Sequence, residues 1–113
     1  IGDRTGISAR AYFAGQGGIS VGSDVIMGPN VQIFSENHAY ADTSLTIKEQ
    51  GVVKQPVAIG NNCWIGAGST VLAGVTLGNG CVVAAGSVVT KSFPANSVIA
   101  GIPAKLIKTR GEN

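Results

Sequence analysis

Aliphatic residues recur at every sixth position from Ile59 to Val89, so that Ile59, Ile65, Val71, Leu77, Val83 and Val89 each open a hexad. A period of six fits neither the 3.6-residue turn of a helix nor the alternation of a simple hairpin strand. The fourth positions are Asn62, Gly68, Gly74, Gly80, Gly86 and Ser92, mostly residues that accept tight or left-handed backbone at low cost. The fifth positions, Cys63, Ser69, Val75, Cys81, Ser87 and Phe93, are mostly small or apolar. Each hexad therefore predicts a short strand followed by a corner, and three hexads predict an 18-residue triangular coil. Residues one coil apart should then stack at the spacing of parallel strands, about 4.8 Å. The expected pairs are Ile59 on Leu77, Ile65 on Val83, Val71 on Val89, Cys63 on Cys81, Ser69 on Ser87 and Val75 on Phe93.

Upstream the pattern continues in two other phases. Ile1, Ile7 and Phe13 lead one set, and Val21, Met27 and Ile33 lead another, with two extra residues expected at a corner around Ile19 and Ser20. From Phe34 to Pro56 the pattern stops. This stretch carries Glu36, His38, Asp42, Lys48, Glu49 and Lys54, and it is long for a structureless connection, which marks residues 34–56 as a protruding functional loop. After Phe93 and Pro94 the repeat is expected to dissolve, with residues 95–113 capping the stack. The reading is one all-β domain over residues 1–113, a parallel solenoid of about four to five coils.

Composition narrows the class. Charged residues make up 12% of the chain and hydrophobic ones 44%, which excludes disorder driven by charge. A net charge of +2 without a basic run argues against nucleic acid as a partner. The longest unbroken apolar stretch, Cys81 to Ala85, is far short of a membrane span, so a soluble protein without membrane insertion is expected. Two cysteines are too few for a disulfide framework and lack zinc-ligand spacing; stacked in parallel they are poorly oriented for a bond, and buried free thiols are expected. The chain opens on Ile1 rather than Met, with no signal-peptide pattern; a reducing cytoplasm is the expected compartment, and whether a segment precedes Ile1 is left open. A thin stack has little interior, so self-association is expected to cover apolar surface.

Three runs carry a resemblance to a known family: Pro56-Val57-Ala58-Ile59-Gly60-Asn61-Asn62-Cys63-Trp64-Ile65-Gly66-Ala67-Gly68, Ala84-Ala85-Gly86-Ser87-Val88-Val89-Thr90-Lys91, and Ala100-Gly101-Ile102-Pro103-Ala104-Lys105. They resemble the hexapeptide-repeat acyltransferases, in the maltose, galactoside and polysaccharide O-acetyltransferase branch. The loop His38-Ala39-Tyr40-Ala41-Asp42 with Gln50-Gly51 is most similar to the polysaccharide-modifying members. The resemblance covers nearly the whole chain and implies a left-handed parallel β-helix, a hand that periodicity does not give. It also implies a homotrimer with active sites between subunits, and acetyl-CoA as co-substrate without a metal. The implied reaction is acetyl transfer to a hydroxyl of a small-molecule or saccharide acceptor.

The same resemblance assigns roles. His38, the only histidine, is the implied general base for an attacking hydroxyl, work that suits an imidazole at neutral pH. The Ala67 backbone N–H is the implied oxyanion donor. Trp64 is expected at the groove between subunits against substrate or the pantetheine arm, with plain subunit packing as the alternative. Tyr40 and Asp42 are the implied acceptor contacts. Ala67 and Ala85 are expected to supply backbone contacts to the coenzyme arm, Thr90 and Lys91 to lie further along, and Lys105 and Lys108 to approach the phosphates, as point charges where relatives often carry Arg. There are departures. Asn37 stands where relatives often have Asp, leaving Glu36, Asn37 or a backbone carbonyl to orient the imidazole, and Ser44-Leu45-Thr46 fills a stretch where Pro is common. Only 37 residues precede His38, fewer than in typical relatives. The alternative reading is therefore a non-catalytic or truncated β-helix that assembles as a trimer and binds CoA or a partner without acetyl transfer. A β-helical carbonic anhydrase is set aside, because its zinc needs three imidazoles and each chain has one.

Overall fold

A computed structural model describes residues 1–112, and it is an all-β structure with one short helical turn. The strands of the first part are β1 (Gly6–Ile7), β2 (Tyr12–Ala14), β3 (Ile19–Val21), β4 (Ile26–Met27) and β5 (Gln32–Phe34). An arm follows, made of β6 (Glu36–His38), α1 (Ile47–Gln50) and β7 (Val52–Lys54). The remainder is β8 (Val57–Ile59), β9 (Trp64–Ile65), β10 (Thr70–Val71), β11 (Thr76–Leu77), β12 (Val82–Val83), β13 (Val88–Val89), β14 (Ser97–Gly101) and β15 (Ala104–Thr109).

Outside the arm these strands form three sheets: a long one ordered β1-β4-β9-β12-β14-β15, a four-stranded one ordered β13-β10-β5-β2, and a three-stranded one ordered β11-β8-β3. From β1 to β13, omitting the arm, the chain visits the long, four-stranded and three-stranded sheets in strict rotation. Each round is one coil. Every pairing between coils is parallel; the antiparallel pairs are β14 with β15 and β6 with β7.

The expected register holds through the middle of the chain, where Trp64 pairs with Val82, Thr70 with Val88 and Ala58 with Thr76. The leaders Ile59, Ile65, Val71, Leu77, Val83 and Val89 are all buried, as are the fifth-position residues. Burying one such aliphatic side chain contributes about 1.5–3 kcal/mol. Polar atoms brought inside are bonded. Ser69 Oγ donates to the Ala84 carbonyl at 3.0 Å, and Ser87 Oγ accepts from the Gly101 N–H at 3.1 Å. Cys63 and Cys81 are the expected buried free thiols, donating to the carbonyls of Gly78 and Pro94, and burial pushes the Cys63 thiol up from its ordinary range. At the corners Asn62, Gly68, Gly74, Gly80 and Gly86 all have positive φ; Ser92 does not.

Two expectations about phase are corrected. Ile19 and Ser20 lie inside β3, and the two extra residues sit earlier, in the turn Gly15–Gly18, where the Gly18 N–H donates to the Gly15 carbonyl at 3.0 Å. The hydrophobic pattern identifies that a shift occurs but is silent on which corner residues absorb it. The repeat also does not dissolve at Pro94. The corner after Val89 is two residues short, so Phe93 bridges Leu77 rather than stacking on Val75, and Ile99 pairs with Val83. Asn96 then takes the positive-φ corner and Ser97 the buried fifth position, so one further hexad follows in a shifted phase. Only after it does β15 fold back antiparallel over β14.

Within the interruption of the repeat the arm is a hairpin, β6 pairing β7 from Glu36↔Lys54 to His38↔Val52, with the single turn α1 between them. Thr46 and Glu49 cap that turn reciprocally. The arm is rooted at Ser35, which is fully buried. Its Oγ donates to the Ala14 carbonyl at 2.6 Å and accepts from the Gly17 N–H at 2.9 Å, while its carbonyl accepts from the Gln55 N–H at 2.8 Å. Ala14 precedes the Gly15–Gly18 turn and Gly17 lies within it, so the irregularity in one coil anchors the arm of the next.

Two stability predictions follow from the stacking. A Cβ on Gly66 would lie 2.5 Å from the Ala85 backbone nitrogen, whereas one on Gly68 meets open space but has φ +71. Gly66→Ala should cost about 3 kcal/mol by overpacking, and Gly68→Ala about 1 kcal/mol by backbone strain alone; equal shifts in Tm would contradict the close stacking. Ser35→Ala strands the Gly17 N–H and should cost about 1–3 kcal/mol. Amide exchange in residues 36–54 should rise in that variant more than exchange in the coils does.

Candidate functional site

The corner between β9 and β10 is a tight turn closed by the Ser69 N–H on the Gly66 carbonyl at 3.3 Å, with Gly68 in the left-handed region. Ala67 occupies its outer position. Among the described residues the Ala67 N–H donates to no carbonyl or side chain, although its carbonyl accepts from the Gly86 N–H at 2.9 Å. Ala85 repeats this geometry one coil on: the Ser87 N–H closes the turn on the Ala84 carbonyl, and the Ala85 N–H is likewise without a partner. One coil in the other direction the equivalent position is Pro29, which has no N–H to give. Glycine forms the floor, since a Cβ on Gly28 would lie 2.7 Å from the Ala67 nitrogen.

These corners line a groove of about 570 Å³ with Gly28, Trp64, Gly66, Ala67 and Val82 to Ala85. Its apolar wall is the outer row of the long sheet, in which Ile26, Trp64, Val82 and Val98 stand side by side. The Trp64 indole is 56% exposed and has a hollow on each side, the second lined by Asp24, Ile26, Asn62 and Arg110. An apolar wall beside two unpartnered N–H groups, about 4.8 Å apart, suits an extended chain carrying carbonyl oxygens.

The arm holds a separate constellation. His38, at the end of β6, is exposed and lines a 290 Å³ hollow with Tyr12, Ala14, Phe34, Glu36, Asn37 and Val52. A shallower hollow on the arm brings His38 together with Tyr40 and Asp42. The Asp42 carboxylate already accepts from the Ser44 N–H at 2.9 Å and Ser44 Oγ at 2.6 Å, and these bonds hold it below the usual carboxylate range. Gln50 clasps the Asp42 backbone from both sides, so Asp42 shapes the arm tip. Among the described residues no hydrogen bond joins Glu36 or Asn37 to the His38 ring.

Within one chain the implied site is thus in two parts. Trp64, Ala67 and Ala85 share the groove, whereas His38, Tyr40 and Asp42 share the arm, and none of these three hollows holds members of both. The arm leaves at the corner between the four-stranded and three-stranded sheets, while Ala67 sits at the corner between the long and four-stranded sheets. A whole sheet face lies between them. Thr90 and Lys91 are exposed at the shortened corner, with Lys91 Nζ 5.5 Å from the centre of the Phe93 ring. Lys105 and Lys108 are on the exposed strand β15, where Lys108 pairs with Val98 and ends the row that contains Trp64. Arg110 and Gly28 were not singled out in the sequence. Gly28 is findable once the Ile26↔Trp64 register is known, but Arg110 is placed by its bond to the Gly80 carbonyl, 2.9 Å long, which no periodicity foretells. No group of three His, Cys, Asp or Glu able to hold a metal occurs among the described residues, and no helix there is long and apolar enough to cross a membrane.

Comparison with known proteins agrees with this geometry. The family model described as the hexapeptide repeat of succinyl-transferase matches residues 56–91. A putative acetyltransferase of Dictyostelium discoideum is 53% identical over 91 residues, covering 80% of this chain and 46% of that protein. A maltose O-acetyltransferase from Clostridium difficile 630 superposes with a TM-score of 0.90 at 37% identity, covering 98% of this chain and 58% of the other. A hexapeptide-repeat acetyltransferase of Vibrio cholerae, solved in complex with acetyl coenzyme A, shares the fold with a TM-score of 0.75 at 23% identity, over 99% of this chain and 71% of its own. The chain spans between 31% and 58% of the length of the curated relatives it matches. The six-residue repeat that organises its core is this family's repeat, and the chain belongs to the hexapeptide-repeat acyltransferases.

Proposed function

We propose that this chain is the catalytic repeat domain of an acetyl-CoA-dependent O-acetyltransferase acting on a hydroxyl of a sugar-like acceptor. In this reading the chain forms one left-handed parallel β-helix, with residues 34–56 its catalytic loop and β15, folded back over β14, its cap. Three copies assemble as a homotrimer, each active site lying between two subunits, and two buried free thiols fit a cytoplasmic setting. The observation that carries the proposal is the division of the site: the groove with its unpartnered Ala67 and Ala85 N–H groups and the arm with His38 lie on different corners of one chain. A neighbouring copy that brings its arm to this groove completes the chemistry.

The steps then follow. His38 of one subunit takes the proton of the acceptor hydroxyl as its oxygen attacks the thioester carbonyl. The carbonyl oxygen gains negative charge and receives the Ala67 N–H of the other subunit, a donor that needs no rearrangement because nothing else holds it. Collapse breaks the C–S bond, and the leaving thiolate takes the proton back from the imidazolium, leaving the acetyl ester and free coenzyme. Trp64 walls the pantetheine arm, the Ala85 N–H meets one of its amides, Tyr40 and the Asp42-braced arm tip bound the acceptor, and Thr90, Lys91, Lys105 and Lys108 serve the nucleotide end.

One observation favours the second reading, a chain that binds the coenzyme without transferring the acetyl group: the His38 ring has no hydrogen-bonded partner to fix its tautomer among the described residues. Two variants separate the readings. His38→Ala should lower kcat by about 10²- to 10⁴-fold with acetyl-CoA affinity unchanged. Ala67→Pro replaces the N–H with a ring methylene, at the turn position that Pro29 occupies one coil away, and should lower kcat by about 10²- to 10³-fold in a folded protein. Full turnover by either variant would sink the catalytic assignment, and wild-type protein that binds acetyl-CoA but acetylates no sugar would favour the second reading.

A further inference from the structure

We infer that Gln50 is a positioning residue for acetyl transfer: its side-chain carboxamide completes the arm hairpin with a rung that the backbone lacks, and so fixes residues 38–42. The inference rests on the catalytic reading above and adds to it the residue that holds the arm in shape. Gln50 belongs to the loop that carries the family resemblance, yet no step of the transfer uses it. No residue from 36 to 56 is buried, so hydrogen bonds rather than a core must give the arm its shape. From residue 40 to residue 56, Gln50 is the one residue that is not fully exposed.

The rungs run outward from the stack. Glu36 pairs with Lys54, Asn37 with Val53 and His38 with Val52, and the Ala39 N–H then donates to the Gly51 carbonyl at 3.0 Å. There β7 has ended, because Gly51, at φ +82, turns the chain into α1. The side chain of Gln50 takes over. Its Oε1 accepts from the Asp42 N–H at 3.0 Å, and its Nε2 donates to the Asp42 carbonyl at 2.9 Å. Two bonds exchanged with a single residue are the pattern of a hydrogen-bonded pair in an antiparallel ladder. Here one carboxamide stands in for the missing backbone. Nε2 also donates to the carbonyls of Thr46 at 3.3 Å and Leu45 at 3.4 Å, so the same group gathers the whole tip.

The rung acts on the site through the segment it closes. Tyr40 and Ala41 lie between the Ala39 bond and the Gln50 rung and are held from both ends. Tyr40 is 73% exposed, so packing within the chain does not aim it. Loss of the rung would fray the hairpin from its tip toward His38. The other bonds of the tip are local: Asp42 with Ser44, and Thr46 with Glu49. All of these lie inside one chain, so the tip has its shape whichever copy it meets. A reacting group displaced by about 1 Å can lose about 10²-fold in rate.

Gln50→Glu tests this, because it keeps the size and an acceptor oxygen but removes both donors and turns a charge toward three carbonyls. The full chain would be assayed with acetyl-CoA and with maltose or methyl β-galactoside as acceptor. In Gln50→Glu, kcat should fall about 10²-fold while the KM for acetyl-CoA stays unchanged. Thr46→Ala removes the cap of α1 but leaves the rung, and should keep kcat near the wild-type value. Wild-type kcat in Gln50→Glu, an equal loss in Thr46→Ala, or a loss confined to a raised KM for acetyl-CoA overturns the inference. Amide exchange gives a readout independent of turnover. The Ala39 and Asp42 amides should exchange about 10-fold or more faster in Gln50→Glu, with the coils unchanged. If wild-type protein acetylates neither sugar, the catalytic reading fails while faster exchange still supports the rung; equal exchange in the two proteins overturns it.

Discussion

Every strand of the three stacked sheets except β14 and β15 is two or three residues long, far too short to persist alone, and what holds it is the hydrogen bond to the next coil. The Trp64 N–H donates to the Cys81 carbonyl, Gly66 to Val83, Thr70 to Ser87 and Leu72 to Val89, each at 2.8–3.0 Å. That ladder exists only while the coils keep a common length, because a slip of one residue would turn the buried leaders outward. The six-residue spacing of aliphatic residues is therefore a statement about backbone pairing as much as about burial. Corners must turn within a few residues, and the positive-φ positions at Asn62, Gly68, Gly74, Gly80 and Gly86 let them do so.

The same ladder explains where chemistry can be placed. Backbone groups along strands are consumed by neighbouring coils, so unpartnered donors arise at corners, where Ala67 and Ala85 sit. A corner aligned over several coils makes a straight groove with a glycine floor, and the side chains beside it belong to the long sheet's outer row. An insertion can leave the stack only at a corner as well, and the arm does so one sheet away from the groove. The proposed division of the active site between subunits is thus a consequence of stacking: a rigid prism presents its corners apart, and only a second prism brings two of them together.

The leaders, the buried fifth positions and the middle register were legible in the sequence because burial and backbone turning impose them residue by residue. The positions of the two phase shifts were not. Leaders fix how many residues lie between Phe13 and Val21 or between Val89 and Phe93, but hydrogen bonds inside the corner decide which of them leave the strand. Ser35 escaped notice for a similar reason: a serine at a loop edge is ordinary until its hydroxyl is found bridging Ala14 and Gly17. Of the site, His38 stood out as the lone histidine of an interrupted repeat, and Ala67 was reached through resemblance alone. That its N–H lacks a partner, and that Asp42 is committed to Ser44, depend on local geometry that residue types do not encode.

The central claim is that one active site needs two chains, and subunit mixing tests it most directly. His38→Ala and Ala67→Pro proteins, each inactive as purified, would be unfolded together, refolded and assayed for acetyl transfer. If the site is shared, random assembly returns activity, with roughly a quarter of the sites receiving an intact arm and an intact groove from different subunits. If both parts of the site belong to the same chain, no assembly of the two variants contains an intact site; a mixture that stays inactive although its subunits have exchanged would contradict the account.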